Sequence, residues 1–160
     1  MPENKLTEPA KQPTIITITL PTNAYFLSGI RNFTLGLVKN MTEFSEQWAF
    51  RFQSIVDELC NNAIEHGSKP GDNIQITFKC NPQVSMEITV SDHGTGISKM
   101  TDEALQKLID ERRDPKFIFT GIRGRGLSKI VAEWTDELHF KNNQNGGIEV
   151  SVTKYLNDPK

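Results

Sequence analysis

The sequence has few of the residues that build disulfide scaffolds, zinc sites or membrane spans. Its 160 residues include two cysteines, Cys60 and Cys80, and their flanks lack the paired Cys/His spacings of a zinc site. No apolar run approaches the roughly 20 residues that cross a bilayer. At a formal net charge of -2, the chain also lacks the positive excess that gathers nucleic acid. These absences predict reduced, partly buried thiols and neither a membrane nor a nucleic acid as partner.

The start of the chain also lacks an export signal. Residues 1–13 are polar and contain prolines, without the basic start and apolar middle of a secretory signal peptide. We therefore expect a cytoplasmic protein with a flexible leader over 1–13. The remainder has the length of one ordinary domain, which we place at residues 14–156.

Hydrophobic periodicity predicts strands at both ends of the domain and in its middle. Alternating apolar residues indicate an edge strand first, then a β-hairpin, then two strands around a glycine turn. The corresponding segments are 14–20, 73–92 with a turn at Asn81-Pro82, 137–141 and 148–155.

Helical spacing predicts two longer helices between the first strand and the hairpin. One begins after a cap at Thr22 or Asn23, and the other begins near Thr42 and ends at a Gly67 cap. The charged segment 98–121 is predicted to be a lid containing a short helix, and a further helix begins at Gly126. Hairpins grouped between helices favour an α+β two-layer sandwich, with a mixed, mostly antiparallel sheet covered on one face by helices.

Three sequence patterns carry candidate chemistry, and the first lies on the second helix. Glu58, Asn62 and Glu65 are spaced i, i+4 and i+7, so they share one helix face beside the apolar stripe. Taken alone, such a polar row is more often solvated surface than a functional site.

The second pattern is a carboxylate at the end of a strand, followed by glycines. Asp92 precedes Gly94 and Gly96, in the run Asp-His-Gly-Thr-Gly-Ile that ends at Ile97. Glycines there allow the backbone to approach a ligand closely, and Asp92 can accept a hydrogen bond from an amine. An ordinary tight turn is the competing interpretation.

The third pattern is a glycine cluster that leads into a helix, at residues 121–127. Backbone amides at a helix start can hold phosphate, and Arg123 and Arg125 add positive charge. No Gly-Lys-Ser/Thr follows, so the cluster is not a Walker P-loop. A helix-entry loop with two solvated arginines is the competing interpretation.

The order and spacing of the three patterns resemble those of the GHKL ATPase superfamily. The N box corresponds to residues 57–67, the first glycine box to 92–96 and the second to 121–126. The compact size and the Asn-Ala-x-x-His-Gly ending of the N box are similar to the anti-sigma-factor serine kinases. The resemblance covers residues 14–155 and implies a Bergerat-type ATP-binding sandwich, a histidine kinase-like ATPase domain.

The resemblance also implies a role for each site residue, with ATP and magnesium as cofactors. Asn62 would bind Mg²⁺ through its side-chain oxygen, Glu58 would act as the catalytic base, and Asp92 would accept from the adenine amino group. The remaining ATP-binding positions flank or form the glycine boxes: Gly94, Gly96, Ile97, Arg123, Gly124, Arg125, Gly126 and Leu127. Which of the two arginines meets the γ-phosphate stays open.

The activity implied by the resemblance is an ATP-dependent serine/threonine protein kinase of the partner-switching type. Such a kinase phosphorylates a STAS-type antagonist and alternately sequesters a sigma factor or another target. The same resemblance implies a homodimer face formed by Phe26, Phe33 and Leu37 together with the exposed side of the first strand, although these three residues serve equally well as core. The alternative is an ATP-binding regulatory module that transfers no phosphate; histidine kinases and gyrase-type ATPases need further domains that we do not expect here.

One position departs from the pattern of the family. Many relatives have a threonine directly after the glycine turn that leads into the last strand, whereas Ile148 follows Gly146-Gly147 here. The departure removes one expected water-mediated contact to adenine.

Overall fold

The computed structural model describes residues 12–93, 133–144 and 146–157. Within them the chain forms five strands, one short 3-10 turn and two whole helices, and Glu133 and Trp134 are helical as well. In chain order these are β1 Thr14–Pro21, the 3-10 turn Ala24–Phe26, α1 Leu27–Met41, α2 Glu46–Gly67, β2 Asn73–Asn81, β3 Ser85–Ser91, β4 Glu137–Asn142 and β5 Ile148–Tyr155. The predicted leader over 1–13 and the predicted lid over 98–121 lie almost entirely outside these residues.

The five strands form one sheet in the order β1-β2-β3-β5-β4. All four strand pairs of this sheet are antiparallel. β2–β3 and β4–β5 are hairpins; β1 pairs with β2, and β5 pairs with β3 and so joins the two hairpins. The predicted α+β sandwich and the edge position of β1 are confirmed. The expected parallel component of the sheet is not found among the described strands.

The helices cover one face of the sheet and form the core with it. Alternate residues of β2 point to the helices and are buried, as the two-residue period of a strand requires. Phe33 of α1 meets Phe78 of β2 edge to face, with 5.4 Å between the ring centroids. Leu37 is also buried, whereas Phe26 is 39% exposed. Leu37 and Phe33 are therefore core residues, and Phe26 remains at the surface.

The opposite face of the sheet is polar. Hydroxyl side chains stand side by side across it, and two neighbouring pairs are hydrogen-bonded, Thr17 to Thr77 at 3.1 Å and Thr89 to Ser151 at 2.8 Å. This one-sided pattern is usual for an antiparallel sheet with helices on a single face. Val84, which the predicted hairpin over 73–92 assigns to its second strand, lies in the β2–β3 turn and is 55% exposed.

The start of α2 rests on the sheet through a buried cation. Lys154 of β5 is 1% exposed, forms an ion pair with Asp136 at 3.1 Å and lies 5.0 Å above the Trp48 ring. A buried lysine needs such partners because its charge is otherwise costly to remove from water. The contact between Lys154 and Trp48 places the beginning of α2 beside the C-terminal end of β5.

The ends of α2 differ in part from the prediction. The helix begins at Glu46 after Ser45, whose hydroxyl accepts from the Trp48 amide at 3.3 Å. Gly67 is its last helical residue, and the C-cap is Ser68 in an extended conformation, so the predicted glycine cap is wrong. Within the described residues, neither helix combines the length and apolar content needed to cross a bilayer.

The N-cap of α2 provides a test of the fold. We expect Ser45→Ala to lower the free energy of unfolding by about 1 kcal/mol, because an amide of the first turn loses its acceptor. Urea denaturation followed by circular dichroism measures the change. Ser54→Ala is the matched control, since Ser54 bonds the Phe50 carbonyl within the helix and caps nothing. Equal midpoints for the wild type and Ser45→Ala would contradict the assigned cap.

Candidate functional site

The polar row of α2 includes one buried amide. Asn62 is 7% exposed, and its Oδ1 accepts no hydrogen bond from the described residues. A buried carbonyl oxygen without a donor costs about 1–3 kcal/mol, so native proteins seldom leave one without a function. Glu58, one turn earlier, is half-buried, and Glu65 is exposed. The row therefore turns from solvent at Glu65 into the protein at Asn62.

Asp92 lies directly after β3 and is 2% exposed. Its amide donates to the Ile148 carbonyl at 3.1 Å, and its Oδ1 accepts from the Ile148 amide at 3.1 Å. Ile148 thus holds both the backbone and the carboxylate of Asp92. The position at which relatives place a threonine contributes a backbone donor here, which does not depend on its side chain.

The turn between β4 and β5 also holds Asp92, from the same side as Ile148. Nδ2 of Asn143 donates to the Asp92 carbonyl at 2.6 Å and to Ser91 Oγ at 2.8 Å. Oδ1 of the same amide accepts from the Gly147 amide at 2.8 Å. One side chain therefore joins the β4–β5 turn to the end of β3.

Gly147 permits this close approach. A Cβ at this position would overlap the Asp92 carbonyl oxygen and lie 2.6 Å from its Oδ1. Its neighbour Gly146 has a φ of 83°, in the left-handed region that glycine adopts without strain. The two glycines thus have different roles, since Gly146 shapes the turn and Gly147 makes room for Asp92.

The chain connections bring the end of α2 and Asp92 to the same end of the sheet. Residues 68–72 alone join the end of α2 to Asn73, the first residue of β2. Gln75 of β2 pairs with Ser91, the neighbour of Asp92. Asn62 precedes the end of α2 by five residues, or about 7.5 Å along the helix axis. Asn62 and Asp92 therefore lie at one end of the molecule, and the Trp48–Lys154 contact lies at the other.

Both cysteines are buried and unpaired as thiols. Burial, aided by the nearby Asp57 carboxylate, raises the pKa of Cys60 to about 12, and burial also raises the pKa of Cys80. Both groups therefore stay protonated at neutral pH and are poor nucleophiles. Cys60 packs in the core beside the polar row.

The glycine boxes contribute most of the predicted site residues, and these lie outside the described residues. They are Gly94, Gly96, Ile97, Arg123, Gly124, Arg125, Gly126 and Leu127. Their assignments to ATP stay predictions. The described part of the predicted site consists of Glu58 and Asn62 on α2 and Asp92 after β3.

The described side chains suit the cofactors that the resemblance implies. Magnesium prefers oxygen ligands and keeps several waters, so a single amide oxygen such as that of Asn62 is a suitable protein donor. A buried carboxylate such as Asp92 suits an exocyclic amine of a base. The sequence patterns did not reveal Asn143, because an asparagine in a turn is commonplace; its spacing of four residues from Gly147 is the one available signal.

The fold and this pair of buried polar side chains are consistent with an ATPase-type α+β sandwich. A family comparison identifies the class further: residues 23–154 match the histidine kinase-like ATPase domain. The chain belongs to this family. Membership implies an ATP-binding function of a regulatory or kinase-like kind.

Proposed function

We propose that this protein is an ATP-dependent serine/threonine protein kinase that acts by partner switching. Its substrate would be a STAS-type antagonist protein, and its second partner a sigma factor or another regulated target, both in the cytoplasm. The observation that carries the proposal is the buried Asn62 oxygen, which accepts no hydrogen bond within the described part of the chain and lies one helical turn beyond a half-buried carboxylate, Glu58. A metal ligand beside a base is the arrangement that phosphoryl transfer requires.

In this proposal each described residue has one task. Asn62 would hold the magnesium ion, which neutralises phosphate charge when bound. Glu58 would accept the proton of the attacking serine or threonine hydroxyl. Few other groups need to act on the substrate, because phosphoryl transfer depends mainly on positioning and charge neutralisation.

Asp92 would select adenine. Its carboxylate accepts a hydrogen bond from the 6-amino group of adenine, whereas guanine presents a carbonyl oxygen at the same place. Two acceptors facing each other in a buried site leave both without a donor, which is costly. The 2% exposure of Asp92 makes this penalty effective, since water has little access.

The adenine contact can be tested by replacing one atom. Asp92→Asn keeps an oxygen for the Ile148 amide and can turn a donor toward the base. We expect the Kd for Mg·ATP to rise about tenfold to a hundredfold, because donor then faces donor. Inosine triphosphate has a 6-oxo group, so the ratio of its Kd to the Kd for ATP should be lower in Asp92→Asn than in the wild type. Isothermal titration calorimetry measures both.

A control for this test lies on β3, the strand that precedes Asp92. Glu87 is on the polar face of β3, so Glu87→Gln should leave both affinities unchanged. Unchanged ATP affinity in Asp92→Asn would contradict adenine recognition by Asp92. No heat from any adenine nucleotide with the wild type would remove the whole proposal.

A binding module that holds ATP without transferring phosphate is the second candidate. It is favoured if the protein captures partners in a nucleotide-dependent way and leaves none of them phosphorylated. Affinity capture from the native cell with and without ATP, followed by mass spectrometry for phosphoserine and phosphothreonine, distinguishes the two. Equal capture in both nucleotide states, without a phosphorylated partner, would contradict partner switching.

A homodimer is a further part of the proposal. Among the described strands, β1 is paired on one edge only, and Ile15 on it is 61% exposed. Phe26 lies at the surface near the start of α1, whereas Phe33 and Leu37 are used by the core. The proposed contact surface therefore involves β1 and Phe26, and not Phe33 or Leu37.

A further inference from the structure

We infer that Asn143 is a positioning residue for adenine recognition: through the β4–β5 turn it fixes the orientation of Asp92. The inference rests on the proposed function, because it concerns the carboxylate that would read adenine. It assigns a role to a residue that lies outside the three motifs of the site and about 50 positions away in sequence from Asp92.

The two ends of the Asn143 amide perform different tasks. Its Oδ1 accepts from the Gly147 amide at 2.8 Å, which closes the turn. Its Nδ2 donates to the Asp92 carbonyl at 2.6 Å and to Ser91 Oγ at 2.8 Å, which ties the turn to the end of β3. The structural task of the oxygen and the positioning task of the nitrogen can therefore be separated by mutation.

The consequence for Asp92 is that its backbone and carboxylate are held from one direction. Asn143 holds the carbonyl, and the Ile148 amide holds Oδ1 at 3.1 Å. Gly147 has no side chain to keep the turn away from this carboxylate. A carboxylate fixed before binding loses less rotational freedom on binding, so its contact to the ligand contributes more affinity.

The strand pairing explains why this restraint is needed at Asp92. Ser91 is the last residue of β3 paired with β2, opposite Gln75. Asp92 follows the strand, so from here the backbone is held from the β5 side, through Ile148 and the turn. Loss of the Asn143 donor would remove the hydrogen bond to the Asp92 carbonyl, while the bond from the Asp92 amide to the Ile148 carbonyl would stay in place.

The test separates the amino contact from the rest of nucleotide binding. Asn143→Asp keeps an oxygen for the Gly147 amide and replaces the donor to Asp92 with a charged acceptor, whereas Asn143→Ala removes the donor without adding a charge. We compare Mg·ATP with the triphosphate of purine riboside, which lacks the 6-amino group, by isothermal titration calorimetry. In Asn143→Asp the Kd for Mg·ATP should rise about tenfold, while the Kd for the purine riboside triphosphate changes less than twofold.

The ratio of the two dissociation constants is the decisive readout. A role confined to stability would weaken both ligands equally, and that result in Asn143→Asp or Asn143→Ala would overturn the inference. Gln144→Ala is the matched control, because Gln144 is exposed on the same turn. It should keep the wild-type ratio.

The outcome also distinguishes this inference from the proposed function. If the wild type prefers ATP to the purine riboside triphosphate and Asn143→Asp keeps that preference, the positioning role is wrong and adenine recognition stands. If the wild type binds the two ligands equally, Asp92 does not read the amino group and both fail.

Discussion

Asn62→Ala is expected to weaken magnesium-dependent ATP binding by on the order of a hundredfold. A bound metal ion contributes several kcal/mol of charge stabilisation at a phosphate, and this variant removes the protein oxygen proposed to hold it. In the absence of magnesium the variant and the wild type should bind ATP with similar affinities. Calorimetric titrations with Mg²⁺ and with a chelator measure the difference.

The same variant should keep the stability of the protein without nucleotide. In the described structure the Asn62 oxygen is buried without a donor, so its removal relieves a cost of about 1–3 kcal/mol. The small cavity left by the side chain has an opposing cost of similar size. We therefore expect the free energy of unfolding to change by no more than about 1 kcal/mol.

Asn61 offers the matched control for both measurements. It is the preceding residue of α2 and is half-buried, but it lies off the row formed by Glu58 and Asn62. Asn61→Ala should leave the magnesium dependence of binding intact. If Asn62→Ala showed wild-type affinity with magnesium, or if it unfolded by several kcal/mol more easily, Asn62 would be a structural amide and the metal assignment would be wrong.

The elements with strict periodicity were predictable from the sequence. β1 and the β2–β3 hairpin alternate along their whole length, and α2 carries a continuous apolar stripe. The errors fall where periodicity carries no information. Val84 continues the alternation of β3 but belongs to the turn, where Gln83 adopts a φ of 62°. Gly67 looks like a cap because a glycine usually ends a helix, yet the helix includes it.

The candidate site also has parts that the sequence predicts and parts that it does not. Glu58 and Asn62 could be singled out as candidates because helical spacing and a family motif both point to them, and their roles stay predictions. The burial of Asn62 was not predictable from the sequence, because a row of polar residues on a helix is usually solvent-exposed and only the packing of neighbouring elements buries part of it. Asn143 was out of reach for a related reason: its contact with Asp92 spans 51 residues of sequence. Only the pairing of β3 with β5 brings the two together.

Glu58→Gln is expected to lower the rate of phosphoryl transfer by about a hundredfold to ten-thousandfold, the usual contribution of a positioned base. Glutamine has nearly the same shape and cannot accept the proton. ATP affinity should stay the same or increase, because the variant removes a negative charge proposed to lie near the γ-phosphate. Transfer from labelled ATP to the cognate antagonist measures the rate, and calorimetry measures the affinity.

Glu65→Gln is the matched control for this experiment. Glu65 lies on the same helix face but is exposed, so its replacement changes the charge of the protein equally without touching the proposed centre. Equal rates for wild type and Glu58→Gln would assign the base to another residue. A wild type that binds ATP and never transfers phosphate would make Glu58 a spectator and the protein a binding module. A large loss at Glu58 and none at Glu65, with ATP still bound, is the combination expected of a kinase.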